Sequence, residues 1–209
     1  MEHLTNLFKL MELSRSQPLY GYVLAGIKQD DLSNLAEHHY LVTFIAWQLA
    51  CQVNKSGAKI DIQKVLEFGL IHDIGELFGG DISMPYARSN PKAKEYAKAF
   101  ELENQKFLAK FFGSESEHFK NLGYEILDAK SDEAIIAKIS DYIEHIHYKQ
   151  YLKNLLKFDT DLAKPKMLSM IAKMTDPIAK KELNKFIDNW VDDITKKEIT
   201  EILFENAEK

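Results

Sequence analysis

The chain has 209 residues, 45% hydrophobic and 28% charged, a balance typical of globular proteins and unlike disordered or fibrous ones. Its formal charge of −5 argues against a nucleic-acid polymer as partner, although a local metal ion can still attract a small phosphorylated substrate. The single cysteine, Cys51, excludes a disulfide framework and fits a reducing compartment.

The first predicted element is a helix over residues 2–14, where apolar residues recur at helical spacing. This segment lacks the basic start and long apolar core of a signal peptide. No run in the chain approaches the ~20 apolar residues that span a bilayer. We therefore expect a cytoplasmic protein that does not enter a membrane. An irregular link follows over 15–34, where proline and glycine break the helical pattern.

Two strongly apolar helices are predicted next. The first covers 35–53, with Ser33 or Asn34 as its N-terminal cap. The second extends from a cap at Asp61 through residue 78.

The glycines at 79 and 80 are predicted to end the second helix, and a proline-containing loop is predicted over 81–90. Further helices are predicted at about 91–113, 115–127, 131–156, 164–174 and 177–204. No run of useful length alternates apolar and polar residues as a half-buried strand does. The predicted fold class is therefore all-α.

The chain is expected to form one helical bundle over residues 1–155, with additional C-terminal helices over 156–209. The C-terminal segment is lysine-rich and amphipathic, with apolar residues on one stripe. We expect it to cover the main domain or to form a dimer contact.

The segment LEFGLIHDIGELFGGDISMP, residues 66–85, carries the most chemical information. His72 and Asp73 stand late in an otherwise apolar helix, where two costly polar groups need compensation. Imidazole and carboxylate groups are good ligands for first-row divalent metals. Glu76 lies on the same helix face, and Asp81 follows a loop that can bend it towards the same cleft. A hydrogen-bonded core pair is the alternative explanation for His72 and Asp73.

Two flanking helices strengthen the metal hypothesis. His38 stands at the start of AEHHYLVTFIAWQLA, where the neighbouring His39 competes for the ligand role. Asp141 faces the apolar side of SDEAIIAKISDYIEHI, and His145 shares its face. Three apolar helices thus each bring a side chain that can bind a metal.

The order His38, His72-Asp73 and Asp141 resembles the HD-domain metal-dependent phosphohydrolases. The segments AEHHYLV, IHDIGELFGGDISMP and SDEAIIAKISDYIE are similar to the bacterial 5′-deoxynucleotidases of that superfamily. The resemblance covers roughly residues 8–150.

The resemblance implies a helical bundle, often dimeric, that holds one divalent ion of Co, Mn, Fe, Ni or Zn. Its four ligands would be His38, His72, Asp73 and Asp141. Glu76 and Asp81 would be the acidic residues that serve catalysis and orient the substrate. Arg15 is the nearest match to an arginine that faces the substrate phosphate, although the link after it is longer here.

The leading hypothesis is a metal-dependent phosphohydrolase that releases phosphate from a nucleoside 5′-monophosphate. The alternative is a catalytically weak HD module that binds a nucleotide or a partner protein for regulation. Other HD chemistry, such as phosphodiester cleavage, is a third possibility. Two-metal HD sites usually have more histidines between the ligands, and only His118 lies between Asp73 and Asp141.

Overall fold

The structure, a computed structural model, describes residues 2–79 and 81–207 and confirms the all-α class. Within those residues the β-type pairing is limited to an isolated bridge between Pro18 and Asn34. None of the helices described there is both long and apolar enough to cross a bilayer. Gly80, one of the two glycines predicted to end a helix, lies outside the described residues.

The helices are numbered in chain order, and short 3₁₀ helices lie in some of the connections between them. The α-helices are α1 (Glu2–Met11), α2 (Leu35–Lys55), α3 (Ile62–Ile71), α4 (Met84–Ser89), α5 (Pro91–Ala109), α6 (Ser116–Asp128), α7 (Asp132–Tyr151), α8 (Lys157–Ile171), α9 (Pro177–Asp193) and α10 (Ile199–Ala207). The 3₁₀ helices are Glu12–Arg15, Tyr20–Ala25, Gln29–Asp31, Ile74–Phe78 and Gly113–Glu115.

The N-termini of the central helices are fixed by local side-chain caps, as their sequences predict. The Asn34 side chain accepts a hydrogen bond from the Glu37 N–H at 3.0 Å, and the Glu37 carboxylate accepts one from the Asn34 N–H. This capping box satisfies two amide groups that the first turn of α2 would leave unpaired. Asp61 caps α3 in the predicted way, by accepting from the Lys64 N–H at 3.2 Å.

The helix predicted to continue through residue 78 is wrong at its C-terminal end. α3 stops at Ile71, His72 and Asp73 form a turn, and a 3₁₀ helix follows over Ile74–Phe78. A tertiary contact accompanies the change, because the Asn104 side chain donates to the Gly75 carbonyl at 2.7 Å. In a continuous α-helix, the same carbonyl would accept a hydrogen bond from the backbone N–H four residues later.

Other predicted boundaries also differ from the structure. The loop predicted over 81–90 contains the short helix α4. The helix predicted from 164 begins earlier, at Lys157, and Pro165 stands inside it. The long helix predicted over 177–204 is split into α9 and α10. The Glu201 carboxylate accepts a hydrogen bond from the Glu198 N–H at 2.7 Å, immediately before α10 begins.

The central helices α2, α3 and α7 pack against one another, and each contributes residues to two apolar cores. One core joins α2 and α7 to α8 and α9. The other joins α3 and α6 to the link before α2, through residues such as Leu19, Phe68 and Ile126. The candidate site lies where α2, α3 and α7 meet, so both apolar cores support the helices that form it. The expected division at residue 155 stays a prediction.

Gly69 allows α3 to approach α2 closely, and Gly69→Ala is expected to destabilise the fold. A Cβ there would lie 2.6 Å from Thr43 Oγ1 and 2.8 Å from Thr43 Cα. Alanine gains about 1 kcal/mol in helix propensity, but overpacking costs about 1–3 kcal/mol. Because main chain is the obstacle, we expect a net loss of about 1–2 kcal/mol in the free energy of unfolding.

Denaturant unfolding measures this loss, and Gly123→Ala on α6 is its matched control. There the new Cβ would meet only the flexible end of Gln105. An unchanged midpoint in Gly69→Ala, relative to the wild type, would contradict the close packing of α2 on α3.

Candidate metal centre

Four side chains from three segments converge on one point between α2, α3 and α7. They are the residues predicted as ligands, His38, His72, Asp73 and Asp141, and one donor atom from each lies within 4.8 Å of all the others. The two histidines are buried, whereas the two aspartates are partly exposed. The turn that ends α3 lets His72 and Asp73 both face this point, although adjacent residues of a regular helix diverge.

The donor distances fit a single ion. His38 Nε2 lies 3.6 Å from Asp73 Oδ2 and 3.5 Å from Asp141 Oδ1, and His72 Nε2 lies 3.4 Å from Asp73 Oδ2. Tetrahedral ligands at bond lengths of about 2.1 Å would be separated by roughly 3.4 Å. A set of two nitrogens and two carboxylate oxygens suits Co²⁺, Mn²⁺, Fe²⁺, Ni²⁺ or Zn²⁺.

The hydrogen bonds behind the two imidazoles leave both inner nitrogens free to bind a cation. His72 Nδ1 donates to the Gly69 carbonyl at 2.9 Å, and His38 Nδ1 donates to Glu144 Oε2 at 2.7 Å. Each neutral ring therefore carries its lone pair on Nε2. These two Nε2 atoms are 3.1 Å apart. Two facing lone pairs repel unless a proton or a metal ion lies between them.

The electrostatics of the site favour a positive charge at this point. Burial opposes protonation of His38, but its hydrogen bonds with Asp141, Asp73 and Glu144 outweigh burial and raise its pKa well above the ordinary value. Burial lowers the pKa of His72, which keeps that ring neutral. A cation held by these carboxylates would replace the proton on His38.

His39, the alternative ligand on α2, stays outside this group of donors. Its ring packs on the His72 ring at 4.8 Å between centroids, and burial lowers its pKa well below the ordinary value. Its Nε2 is buried and has no hydrogen-bond partner among the residues that the structure describes.

Glu144 supports His38 from the side opposite the ligand group. Its carboxylate is 2% exposed, accepts from His38 Nδ1 and lies 3.4 Å from the Tyr22 hydroxyl, which donates to it. Carboxylates that hold the outer nitrogen of a ligating histidine fix its tautomer and raise its basicity. Tyr22 belongs to the link before α2, so this link reaches the site through Glu144.

Glu144→Gln is expected to lower the affinity for a divalent ion about 10- to 100-fold, because it removes the charge that holds His38. Competition with a chelator measures that affinity. Tyr22→Phe is the matched control, since it removes only a long hydrogen bond to the same carboxylate, and its effect should be smaller. An unchanged affinity in Glu144→Gln would show that Glu144 does not support the ligand.

Asp81 lies beside the ligand group and is tied to the link before α2. Its carboxylate accepts a short hydrogen bond from the Gly21 N–H. A Cβ at Gly21 would lie 2.8 Å from Asp81 Oδ1, so a larger residue there would displace the Asp81 carboxylate from its present position. Burial and the charges of Asp73 and Asp141 raise the pKa of Asp81. The hydrogen bond from Gly21 acts in the opposite direction and lowers it, but the net shift is upward.

Glu76 and Glu101 form an acidic wall next to Asp73. Burial, followed by the charges of Asp73, Asp81 and Glu101, raises the pKa of Glu76 well above its ordinary value. Burial and the Asp73 charge raise the pKa of Glu101 to about 7. Both carboxyls therefore hold protons more tightly than exposed ones, which is a property of groups that donate a proton near neutral pH.

Lys138 is the cation nearest to the ligand group. Its Nζ lies 3.8 Å from Asp73 Oδ1. Burial opposes its charge, but Asp73, Asp141 and Glu101 outweigh burial and raise its pKa. It therefore stays protonated beside the point where the four donors meet.

Arg15 is not one of the four converging side chains, and its contact with a substrate phosphate stays a prediction. Its side chain is 73% exposed and pairs with Glu12 at 2.6 Å on the 3₁₀ turn after α1. The residues nearer the site that the prediction missed, Lys138 and Glu144, flank Asp141 by three residues on either side. Side chains at this spacing share one helix face, so a charged stripe on an apolar helix is the signal that could have found them.

Comparisons with known proteins agree with this arrangement. A 5′-deoxynucleotidase of Vibrio vulnificus is 33% identical over 112 residues, which cover 53% of this chain and 57% of that protein. A 5′-deoxynucleotidase of Vibrio cholerae is 36% identical over 67 residues, 31% of this chain and 34% of that protein. These matches span only a third to just over half of the relatives' length.

Solved structures share the fold. A protein of Pyrococcus horikoshii superposes with a TM-score of 0.65 at 22% identity, covering 91% of this chain and 99% of that one. A conserved hypothetical protein of Pyrococcus furiosus gives 0.63 at 22% identity, covering 88% and 99%. The family model described as HD domain matches residues 21–186, a range that contains all four converging ligands. The chain therefore belongs to the HD-domain family.

Proposed function

We propose that this chain is a metal-dependent phosphohydrolase that releases phosphate from a nucleoside 5′-monophosphate. The observation that carries the proposal is the convergence of two histidines and two aspartates within 4.8 Å, next to carboxyls that are not among those ligands. The relatives named 5′-deoxynucleotidase support the substrate class.

The carboxyls beside the ligands supply proton transfer and orientation. A divalent ion bound by the four ligands would make a water molecule more acidic and withdraw charge from a phosphoryl oxygen. Burial and the neighbouring acids raise the pKa of Glu76, which favours its protonated form, so it can protonate the leaving oxygen of the ester. Asp81, fixed by the Gly21 amide, can accept a hydrogen bond from the substrate or from water.

Lys138 supplies the fixed positive charge that the proposal requires. Its ammonium group lies beside Asp73 and stays protonated, so it can stabilise charge on the phosphoryl oxygens as they approach the ion. We therefore assign to Lys138 a charge-stabilising role at the phosphoryl group.

Phosphate release from a compound panel tests this function. The panel contains 5′-, 3′- and 2′-nucleotides, sugar phosphates and dinucleotides, each assayed after chelation, with and without added Co²⁺ or Mn²⁺. We expect metal-dependent release confined to 5′-monophosphates, and the deoxy-to-ribo ratio then defines the sugar preference. No release by a demonstrably metal-loaded protein would overturn the proposal and favour the regulatory binding module.

We also propose a homodimer, as the family resemblance implies. Phe44 and Trp47 on α2 and Phe186 on α9 are 37–49% exposed, and such apolar side chains support an interface between copies. Light scattering of the purified chain tests this assembly, and a monomer at micromolar concentration would contradict it.

A further inference from the structure

A cleft beside Asp141 contains uncommitted polar groups that the proposed chemistry does not use. Asp141, Tyr142 and His145 of α7 form one side of it, Arg88 of α4 lies across from them, and Leu162 of α8 contributes an apolar wall. Its volume is about 130 Å³. That space holds several water molecules, which a small organic group can displace. We refer to it as the Arg88 cleft.

His145 offers the cleft a fixed ring with unused nitrogens. The Tyr22 ring stacks on it at 4.8 Å between centroids and an interplanar angle of 14°. No hydrogen bond from residues 2–79 or 81–207 reaches either nitrogen of this partly buried imidazole. Burial lowers its pKa, so the neutral ring has one donor and one acceptor to offer. The two nitrogens are therefore open to water or to a ligand, and the cleft that His145 lines is where a ligand can reach them.

Arg88 is an exposed residue that brings a positive charge to the wall of the cleft. Its guanidinium lies beside Tyr142, and within the described part of the chain no carboxylate forms an ion pair with it. The other acid in the cleft wall, Asp159, is already paired with the buried Lys149 at 2.5 Å. A guanidinium at the wall of a cleft can stack on a planar ring and donate several hydrogen bonds to it.

The position of Asp141 links the cleft to the candidate metal centre. The same side chain contributes a donor to the ligand group and lines the cleft. A phosphoryl group placed at the ligands would therefore direct the rest of its ester along α7, towards His145 and Arg88.

We propose that the Arg88 cleft is the subsite for the organic group of the phosphate ester, with Arg88 and His145 as the residues that recognise a nucleoside. The inference rests on the proposed function, because it assumes that a phosphoryl group binds at the ligands. The neutral His145 ring suits a hydroxyl or a base edge better than a phosphate. Phosphate recognition itself stays with the ion and Lys138.

The experiment compares two probes on the metal-loaded full chain, 2′-deoxyadenosine 5′-monophosphate and inorganic phosphate. Arg88→Ala is expected to weaken binding of the nucleotide roughly 10- to 100-fold. His145→Phe keeps the stack on Tyr22 but removes both nitrogens, and it is expected to weaken nucleotide binding about 3- to 10-fold. Calorimetric dissociation constants for inorganic phosphate and for the metal should not change in either variant.

Lys196→Ala is the control for the loss of one positive charge, because that lysine is exposed and paired with Asp193. It should leave both probes unaffected. An equal loss for both probes in Arg88→Ala would make Arg88 a phosphate clamp and overturn the nucleoside subsite. Unchanged nucleotide binding in both Arg88→Ala and His145→Phe would also overturn it.

Failure of the subsite and failure of the proposed function give different results. If the wild type binds the nucleotide but releases no phosphate, the proposed function fails, while weaker nucleotide binding in the variants still supports the cleft. If the wild type releases phosphate and the variants bind the nucleotide normally, only the subsite fails. If the metal-loaded wild type binds neither probe, both are wrong.

Discussion

Asp73→Ala is expected to lower the affinity for a divalent ion by more than roughly 100-fold, because outer partners of metal ligands alone contribute 10- to 100-fold. Asp73 is one of the four converging donors and lies 3.4–3.6 Å from the inner nitrogens of His72 and His38. Elemental analysis after dialysis, with chelator competition, measures the loss. His72→Ala should give the same result.

The two variants need controls for folding, since Asp73→Ala leaves Lys138 without its nearest counter-charge and His72 is fully buried. His118→Ala and Asp128→Asn remove the same side-chain types from exposed positions and should keep the ion. Added metal should raise the Tm of the wild type, because the ligands converge only in the folded chain. Retention of metal in both Asp73→Ala and His72→Ala would disprove the ligand assignment.

Features set by local sequence were predicted best. The cap at Asn34 and the apolar periodicity of α2 act over a few residues, so the sequence alone is enough to find them. The end of α3 depends instead on a contact with Asn104, which lies 29 residues away along the chain. Hydrophobic periodicity carries no information about such a tertiary bond, and the helix was therefore predicted seven residues too long.

The same distinction applies to the candidate site. The order of the four residues from His38 to Asp141 along the chain predicted the metal ligands. The structure brings the same four side chains together. Arg15 was matched by its place shortly before the first motif helix, and its contact with the substrate phosphate stays a prediction because the link after it is longer here. In the structure the link brings Gly21 to Asp81 and Tyr22 to Glu144. No local pattern specifies where such an irregular segment docks.

Glu76→Gln is expected to lower turnover of a 5′-monophosphate roughly 10²- to 10⁴-fold while the bound metal stays at the wild-type level. This range is the usual contribution of a positioned general acid or base. The amide keeps the shape of Glu76 but has no acidic proton to give. Steady-state phosphate release measures the loss, together with metal content. Glu103→Gln, the same change at an exposed residue of α5, is the matched control and should leave turnover unchanged.

Stability separates loss of catalysis from loss of fold in Glu76→Gln. Because burial and neighbouring acids raise the pKa of Glu76 in the folded chain, its ionisation destabilises the fold increasingly as pH rises above the ordinary carboxyl pKa. Glutamine stays neutral, so the metal-free variant should have a Tm at pH 8 equal to or above that of the wild type. A stable, metal-loaded Glu76→Gln with wild-type turnover would show that Glu76 transfers no proton, and Asp81 would then be the carboxyl to test.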